Sequence, residues 1–168
     1  MNNDEMRMAL YNTMRSDSDF NDVGKFHKKF GLPSAEHPGP REIDKELIEF
    51  RLNFLLEELE EFASACGYYL STAGPGLKFR EDHETTKIDH TKAFDALIDL
   101  NYVSLGTAHL LGYPWPVGWN AVQQANMKKE RAVKKEQSAR GSLWDVVKPK
   151  EWQPPDIKSV LRFWGFDV

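Results

Sequence analysis

Acidic side chains are crowded into one short apolar segment, LLEELEEF, at residues 55–62. The four acids of this segment are Glu57, Glu58, Glu60 and Glu61. On a helix, with about 100° per residue, three of them continue a side that also carries Phe50 and Phe54, whereas Glu60 points elsewhere. We therefore expect Glu57, Glu58 and Glu61 at the edge of a buried or cleft region and Glu60 in solvent.

A second pair of acids lies in the segment TKAFDALIDLNYV, where Asp95 and Asp99 are four residues apart and share one helix face. Aspartate is a poor residue for a helix interior, so two of them among alanines and leucines require an explanation. The simplest alternative is that the glutamate cluster is a charged, solvated helix surface, and one aspartate alone could be a satisfied core residue. Glutamates at helical spacing repel one another, however, and a partly buried set needs a counterion. The two clusters together predict a site for a divalent metal.

The ligand types in the two clusters indicate which metal to expect. Carboxylates without histidine or cysteine are hard oxygen ligands, which favours Mg²⁺, with Mn²⁺ possible, over zinc or copper. A di-iron bundle would need Glu-x-x-His pairs, and these two segments contain none. Mg²⁺ held by a few carboxylates keeps coordination positions for water and substrate phosphates. The chemistry predicted is phosphoryl or nucleotidyl hydrolysis.

The two acidic motifs resemble those of the all-α NTP pyrophosphohydrolases, the MazG-like group that includes phosphoribosyl-ATP pyrophosphohydrolase and dimeric dUTPases. The EExxE motif of that family is complete in Glu57, Glu58 and Glu61. In its ExxD motif Asp99 stands at the final position, but the expected Glu is Ala96, and Asp95 is the stand-in. The likeness is closest to phage-type members and extends over about three quarters of the chain, through the segments KFHKKFGLP, RLNFLLEELEEF, DALIDLNYVSLGTAHLLG, VQQANMKKE and VVKPKEWQPPDI.

The resemblance implies hydrolysis of a nucleoside triphosphate between its α and β phosphates, giving the monophosphate and pyrophosphate. It implies two or more Mg²⁺ ions, held by Glu58, Glu61, Asp95 and Asp99, with Glu57 as a further ligand or as the base that accepts a proton from water. The preferred substrate is dGTP, GTP or another purine deoxynucleotide, and a dCTP or dUTP pyrophosphatase of the same group is the alternative. Base and sugar specificity lie beyond the sequence.

Other polar residues are candidates for substrate binding. Asn126 and Lys129 match the NMKK pattern with which relatives hold the nucleotide, although Lys129 also belongs to an exposed basic run. Lys92 could steady the pyrophosphate or pair with Asp95. Tyr102 could contact the base, but packing is favoured. His109, inside GTAHLLG, is interpreted as a packing residue.

The elements that carry these residues predict an all-α, four-helix-bundle-like fold in a single domain over residues 1–168. Expected helices run from Ser18 or Asp19 to Phe30, from Ile43 to Tyr69, from Thr91 to Leu111 and from Val117 to Ala139. Residues 1–17 are expected to be flexible and residues 71–89 to form a loop. The tail, residues 142–168, is expected to pack on the bundle or on a neighbouring subunit. In the second helix Leu52, Leu55 and Leu59 form the predicted core-facing stripe.

Composition excludes several classes of protein. With 22 basic and 26 acidic residues the net charge is −4, which argues against nucleic acid as a partner despite the basic run at 128–135. No segment has the length of a membrane span, and the single cysteine, Cys66, suits a reducing cytoplasm, or a host cytoplasm if the chain is phage-encoded. Apolar residues on two helix faces, and the resemblance, imply a homodimer or homotetramer. A non-catalytic, Mg²⁺-stabilised bundle stays open as an alternative.

Overall fold

The computed structural model describes residues 2–15, 18–73 and 76–168, which fall into two compact units. The central unit comprises residues 17–37 and 41–113, and the terminal unit comprises residues 1–16, 38–40 and 114–168. The expectation of a single domain over residues 1–168 stays a prediction.

The prediction of an all-α fold is confirmed, because six α-helices dominate the described residues. They are α1 (Asn3–Arg15), α2 (Asp19–Lys29), α3 (Lys45–Ala65), α4 (His90–Leu110), α5 (Trp115–Asn126) and α6 (Ile157–Phe163). Two short antiparallel ribbons accompany them, β1 (Tyr68–Ser71) with β2 (Lys78–Glu81) and β3 (Glu130–Arg131) with β4 (Val146–Val147). All four helices expected from the sequence form, as α2 to α5. No helix among the described residues is long and apolar enough to cross a membrane.

Helix α3 begins at a capped end and stops earlier than expected. The Asp44 carboxylate accepts a hydrogen bond from the backbone N–H of Leu47 at 2.7 Å, which satisfies a free donor of the first turn. At the other end Gly67 has a φ of +80°, a left-handed conformation that ends a helix. The predicted end at Tyr69 is therefore wrong, and Tyr68 instead begins β1. The predicted loop at 71–89 likewise contains β2.

Helix α4 packs against α3 in the antiparallel direction. The backbone N–H of Asp89, the N-cap of α4, donates to the carbonyl oxygen of Ala65 at the end of α3, at 2.9 Å. Toward the opposite ends, the Arg51 guanidinium donates to the carbonyl oxygen of Val103 at 2.5 Å and to Thr107 Oγ1 at 3.0 Å. These two sets of hydrogen bonds fix the register of α3 against α4, and therefore the positions of the acids on one helix relative to those on the other.

Helix α2 also packs against α4, and a buried histidine of α4 lies in this contact. His109 is 1% exposed and stacks on Phe20 with ring centroids 3.8 Å apart. Its Nδ1 accepts from the backbone N–H of Ala35 at 2.9 Å, so Nε2 carries the proton and donates to the carbonyl oxygen of Phe20 at 2.7 Å. The prediction that His109 is a packing residue is confirmed.

The core-facing stripe expected on α3 is wrong. Leu52 is 61% exposed, and Leu55 and Leu59 are half-buried, whereas the buried residues of α3 are Glu58, Ala63 and Ala65. At about 100° per residue Ala63 lies on the leucine side, whereas Glu58 and Ala65 lie on the acid-bearing side, so parts of both sides of α3 are buried.

In the terminal unit the expectation of a flexible N-terminus does not hold for residues 3–15, which form α1. The ring of Tyr11 is fully buried and meets Trp164 edge to face, with centroids 5.7 Å apart. This contact anchors α1 to the tail, and the tail also begins its own helix, α6, at the Asp156 cap.

Helix α5 ends at Asn126 rather than at Ala139. The backbone N–H of Ala132 donates to the carbonyl oxygen of Asp145 at 3.1 Å, and Glu130 and Arg131 pair with β4. Because the lysines that follow Asn126 would repel one another at helical spacing, pairing with the tail is the better solution for this segment.

Candidate active site

The acids of α3 and α4 meet where the C-terminal half of α3 lies beside the N-terminal half of α4. Glu58 is 7% exposed, and its burial raises the pKa of its carboxyl group. The negative charges of Asp99, Glu61, Glu57 and Asp95, in that order, raise the pKa further. The four other carboxylates of the two motifs therefore lie within electrostatic reach of Glu58.

A cavity of about 620 Å³ opens beside these acids and is called the acidic cavity here. Its lining comes from the end of α3, the loop before α4 and the first turns of α4: Glu61, Ser64, Ala65, Thr85, Lys87, Asp89, Lys92 and Asp95. The cavity thus contains one acid from each predicted motif, Glu61 and Asp95. Glu58 and Asp99 lie one turn further from it along their helices.

Two lysines, Lys87 and Lys92, also line the acidic cavity. Lys87 and Lys92 are exposed, and neither forms an ion pair within the part of the chain that is described. Of the two roles left open for Lys92, a salt bridge with Asp95 is therefore not the one observed. A cavity lined both by carboxylates and by lysines that form no ion pair with described residues suits a metal-bound polyphosphate.

The donor set fits a hard divalent cation in its chemistry, since all of its atoms are carboxylate oxygens. Across residues 2–15, 18–73 and 76–168, no three acidic, histidine or cysteine side chains are close enough to form a ready metal cluster. Like charges drive long glutamate side chains apart, so these residues need rotamer changes to converge on one ion.

Asp99 and Asp95 are exposed, whereas Ala96 between them is 2% exposed. A glutamate at position 96, as in the family pattern, would place its charge in this buried position. Asp95 lines the acidic cavity, and its interpretation as a stand-in for the family glutamate stays a prediction.

The structure places the remaining predicted residues elsewhere. The Tyr102 ring meets Phe26 of α2 edge to face at 5.5 Å, which is the packing role, and Tyr102 does not line the acidic cavity. Asn126 ends α5 in the terminal unit, and the Lys129 ammonium lies 5.5 Å from the Trp152 ring. A contact of these three residues with substrate stays a prediction.

Sequence reasoning missed Ser64, Thr85 and Lys87. The signal was available in TTKID, where Lys87 stands two residues before the capping Asp89 of α4 and must therefore lie near its first turn. The sequence did not reveal the β1–β2 ribbon, which returns the chain from the end of α3 to the first turn of α4.

A family model described as phosphoribosyl-ATP pyrophosphohydrolase matches residues 23–126, which is 104 of the 168 residues. The match runs from the first turns of α2 to the end of α5 and includes both acidic motifs. No curated protein matches the chain.

Proposed function

Because the chain belongs to the phosphoribosyl-ATP pyrophosphohydrolase family, we propose that it hydrolyses a nucleoside triphosphate to the monophosphate and pyrophosphate in a Mg²⁺-dependent reaction. The family is one of nucleotide pyrophosphohydrolases, so the chain is a hydrolase of this kind. The observation that carries the proposal is the acidic cavity, which is lined by Glu61 and Asp95 together with Lys87 and Lys92. The proposed substrate is a purine deoxynucleotide, with dGTP preferred.

Glu58, Glu61, Asp95 and Asp99 would hold the metal ions. When bound, Mg²⁺ neutralises phosphate charge and lowers the pKa of a coordinated water. Glu57, exposed and adjacent to Glu58, is available as a further ligand or as the base that takes the proton from the attacking water. The repulsion already present around Glu58 favours cation binding, because a divalent ion removes it.

Lys87 and Lys92 would bind the outer phosphates. Pyrophosphate carries more negative charge after cleavage than it does within the triphosphate, so ammonium groups beside it stabilise the transition state more than the ground state. Lys87 lies on the loop before α4 and Lys92 in the first turn of α4, and both line the acidic cavity.

Release of pyrophosphate from a panel of nucleoside triphosphates and phosphoribosyl-ATP, with and without Mg²⁺, tests the proposal. Glu61→Gln keeps the size of the side chain and removes its charge, and we expect kcat to fall by about 100-fold or more. Glu49→Gln, an exposed glutamate on the same helix outside the cavity, should leave kcat unchanged. Absence of pyrophosphate from every substrate, or full activity of Glu61→Gln, would refute the proposal.

We also propose that the chain forms a homodimer or homotetramer. Support comes from large apolar side chains that stand exposed on the two helices of the site, Phe50 and Leu52 on α3 and Phe94, Leu97 and Ile98 on α4. Exposed apolar side chains in such number indicate a protein interface. Light scattering on the purified chain measures its mass directly, and a monomer at micromolar concentration would refute this proposal.

A further inference from the structure

A second cavity, of about 370 Å³, lies where the β1–β2 ribbon leaves α3, and it is called the ribbon cavity here. Its lining residues are Glu60, Ser64, Tyr68, Tyr69, Leu70 and Asp82. The proposed hydrolysis uses none of them. A purine ring fits comfortably within a space of this size.

The ribbon cavity adjoins the acidic cavity. Ser64 lines both, and the consecutive residues Glu60 and Glu61 line one each. On a helix, residues 57, 60, 61 and 64 are neighbours at spacings of three and four, so they form one continuous surface. A ligand whose phosphates occupy the acidic cavity can therefore extend across Ser64 into the ribbon cavity.

The walls of the ribbon cavity offer an aromatic surface. Tyr68 is 44% exposed and Tyr69 is 54% exposed, and within the described ranges neither ring stacks on another aromatic residue. An exposed tyrosine ring stacks well on a nucleobase, whatever the base. Stacking thus explains binding of a base but does not choose among bases.

Discrimination among bases must come from the two carboxylates that line the ribbon cavity, Glu60 and Asp82. Asp82 is already engaged, since its Oδ1 accepts from the backbone N–H of Glu84 at 3.0 Å and its Oδ2 from the Thr85 hydroxyl at 2.7 Å. The Glu60 carboxylate is exposed and has no hydrogen bond or ion pair to any described residue. Glu60 is therefore the carboxylate available to a ligand.

An ionised carboxylate only accepts hydrogen bonds, through two oxygens side by side. It is best matched by a base that presents two adjacent donors, and the N1–H and 2-amino groups of guanine do so. Adenine and cytosine place a ring acceptor beside their amino group, and thymine flanks its single N–H with carbonyl oxygens. A carboxylate repels those acceptors.

We propose that the ribbon cavity binds the nucleobase of the substrate and that Glu60 selects guanine by accepting hydrogen bonds from its N1–H and 2-amino groups. The inference rests on the proposed function, because the phosphates of the same nucleotide occupy the acidic cavity. Tyr68 and Tyr69 contribute stacking, and Asp82 positions the loop that carries Thr85.

The test compares guanine with hypoxanthine, which keeps N1–H but lacks the 2-amino group. Binding of α,β-imido analogues of dGTP and dITP, which resist cleavage, is measured by titration calorimetry with Mg²⁺. We expect the guanine analogue to bind the natural chain about 10- to 100-fold more tightly. Glu60→Gln should bring the ratio close to one, and Glu49→Gln should preserve it.

Because the analogues are not cleaved, the result does not depend on turnover. Equal binding of the two analogues by the natural chain, or a ratio unchanged in Glu60→Gln, would overturn the assignment of Glu60 even if pyrophosphate release is observed. Discrimination that disappears in Glu60→Gln supports it even if the hydrolysis assay fails, in which case only the proposed reaction is refuted.

Discussion

Gly24 of α2 lies against the imidazole of His109, and its replacement by alanine tests the packing that holds α4. A Cβ atom built at Gly24 stands 2.9 Å from His109 Cε1 and 3.2 Å from His109 Nε2. The ring cannot move aside freely, because hydrogen bonds engage both of its nitrogens and Phe20 stacks on its face. Gly24→Ala must therefore shift α2 or break these contacts.

The cost can be worked from this geometry. Carbon atoms prefer separations of about 3.5–4.0 Å, so Cβ and Cε1 have to separate by roughly 0.6 Å or more. Overpacking of this kind costs about 1–3 kcal/mol, and weakening of the bond from His109 to Phe20 adds up to about 1 kcal/mol. The higher helix propensity of alanine offsets about 1 kcal/mol of this destabilisation. The net loss is therefore expected to lie between about zero and about 3 kcal/mol, which corresponds to a fall in Tm of up to about 12 °C.

Thermal and urea unfolding followed by circular dichroism measure the loss. Gly118→Ala is the matched control, because Gly118 is also helical and no atom lies within 4 Å of an added Cβ. The control should gain about 0.5–1 kcal/mol from helix propensity alone. If Gly24→Ala were as stable as Gly118→Ala, the close contact between α2 and His109 would not exist in solution and the reasoning would be wrong.

Three further predictions concern the loop, the acid response and the metal. Gly67→Ala should lower the free energy of unfolding by about 1–3 kcal/mol, because φ is +80° and the new Cβ would lie 3.1 Å from Thr85 Cγ2; an unchanged urea midpoint would contradict it. Burial, and then the charge of Arg51, lower the pKa of His27, so the unfolded chain binds its proton more readily than the folded chain does. The free energy of unfolding should be highest above about pH 6.5 and should fall below that pH, by at most about 1.4 kcal/mol per pH unit. Urea unfolding of His27→Gln should show a shallower decline with falling pH. An equal slope in the variant would exclude His27 as the cause. Mg²⁺ at 100 times its Kd should stabilise the natural chain by about 2.7 kcal/mol. The same Mg²⁺ concentration should raise the Tm of Asp99→Asn much less.

Local signals in the sequence predicted the helices, including those that carry the acids. Ser18 caps α2 as expected, and the helical spacing of Asp95 and Asp99 was enough to place both on α4. Capping and helical periodicity depend on residues a few positions apart, so a sequence displays them directly.

Contacts between residues that are far apart in the chain could not be predicted from the sequence in the same way. The β1–β2 ribbon pairs Tyr68 with Glu81 without the alternation of apolar residues that marks a strand. Helix α1 depends on Tyr11 meeting Trp164 at the other end of the chain. Only the folded chain shows these pairings, and the first of them creates the ribbon cavity.

The orientation of α3 explains why four glutamates share one apolar segment. Apolar residues occur on every side of this helix, so their spacing does not determine which side is buried, and the acid-bearing side proved to contain the buried Glu58. The same turn presents Glu61 to the acidic cavity and Glu60 to the ribbon cavity. On the two proposals, charge is concentrated here because one turn serves two adjoining cavities. Glutamine at Glu58 or Glu61, the proposed metal ligands, should then lower metal affinity and turnover, whereas glutamine at Glu60 should change base selection.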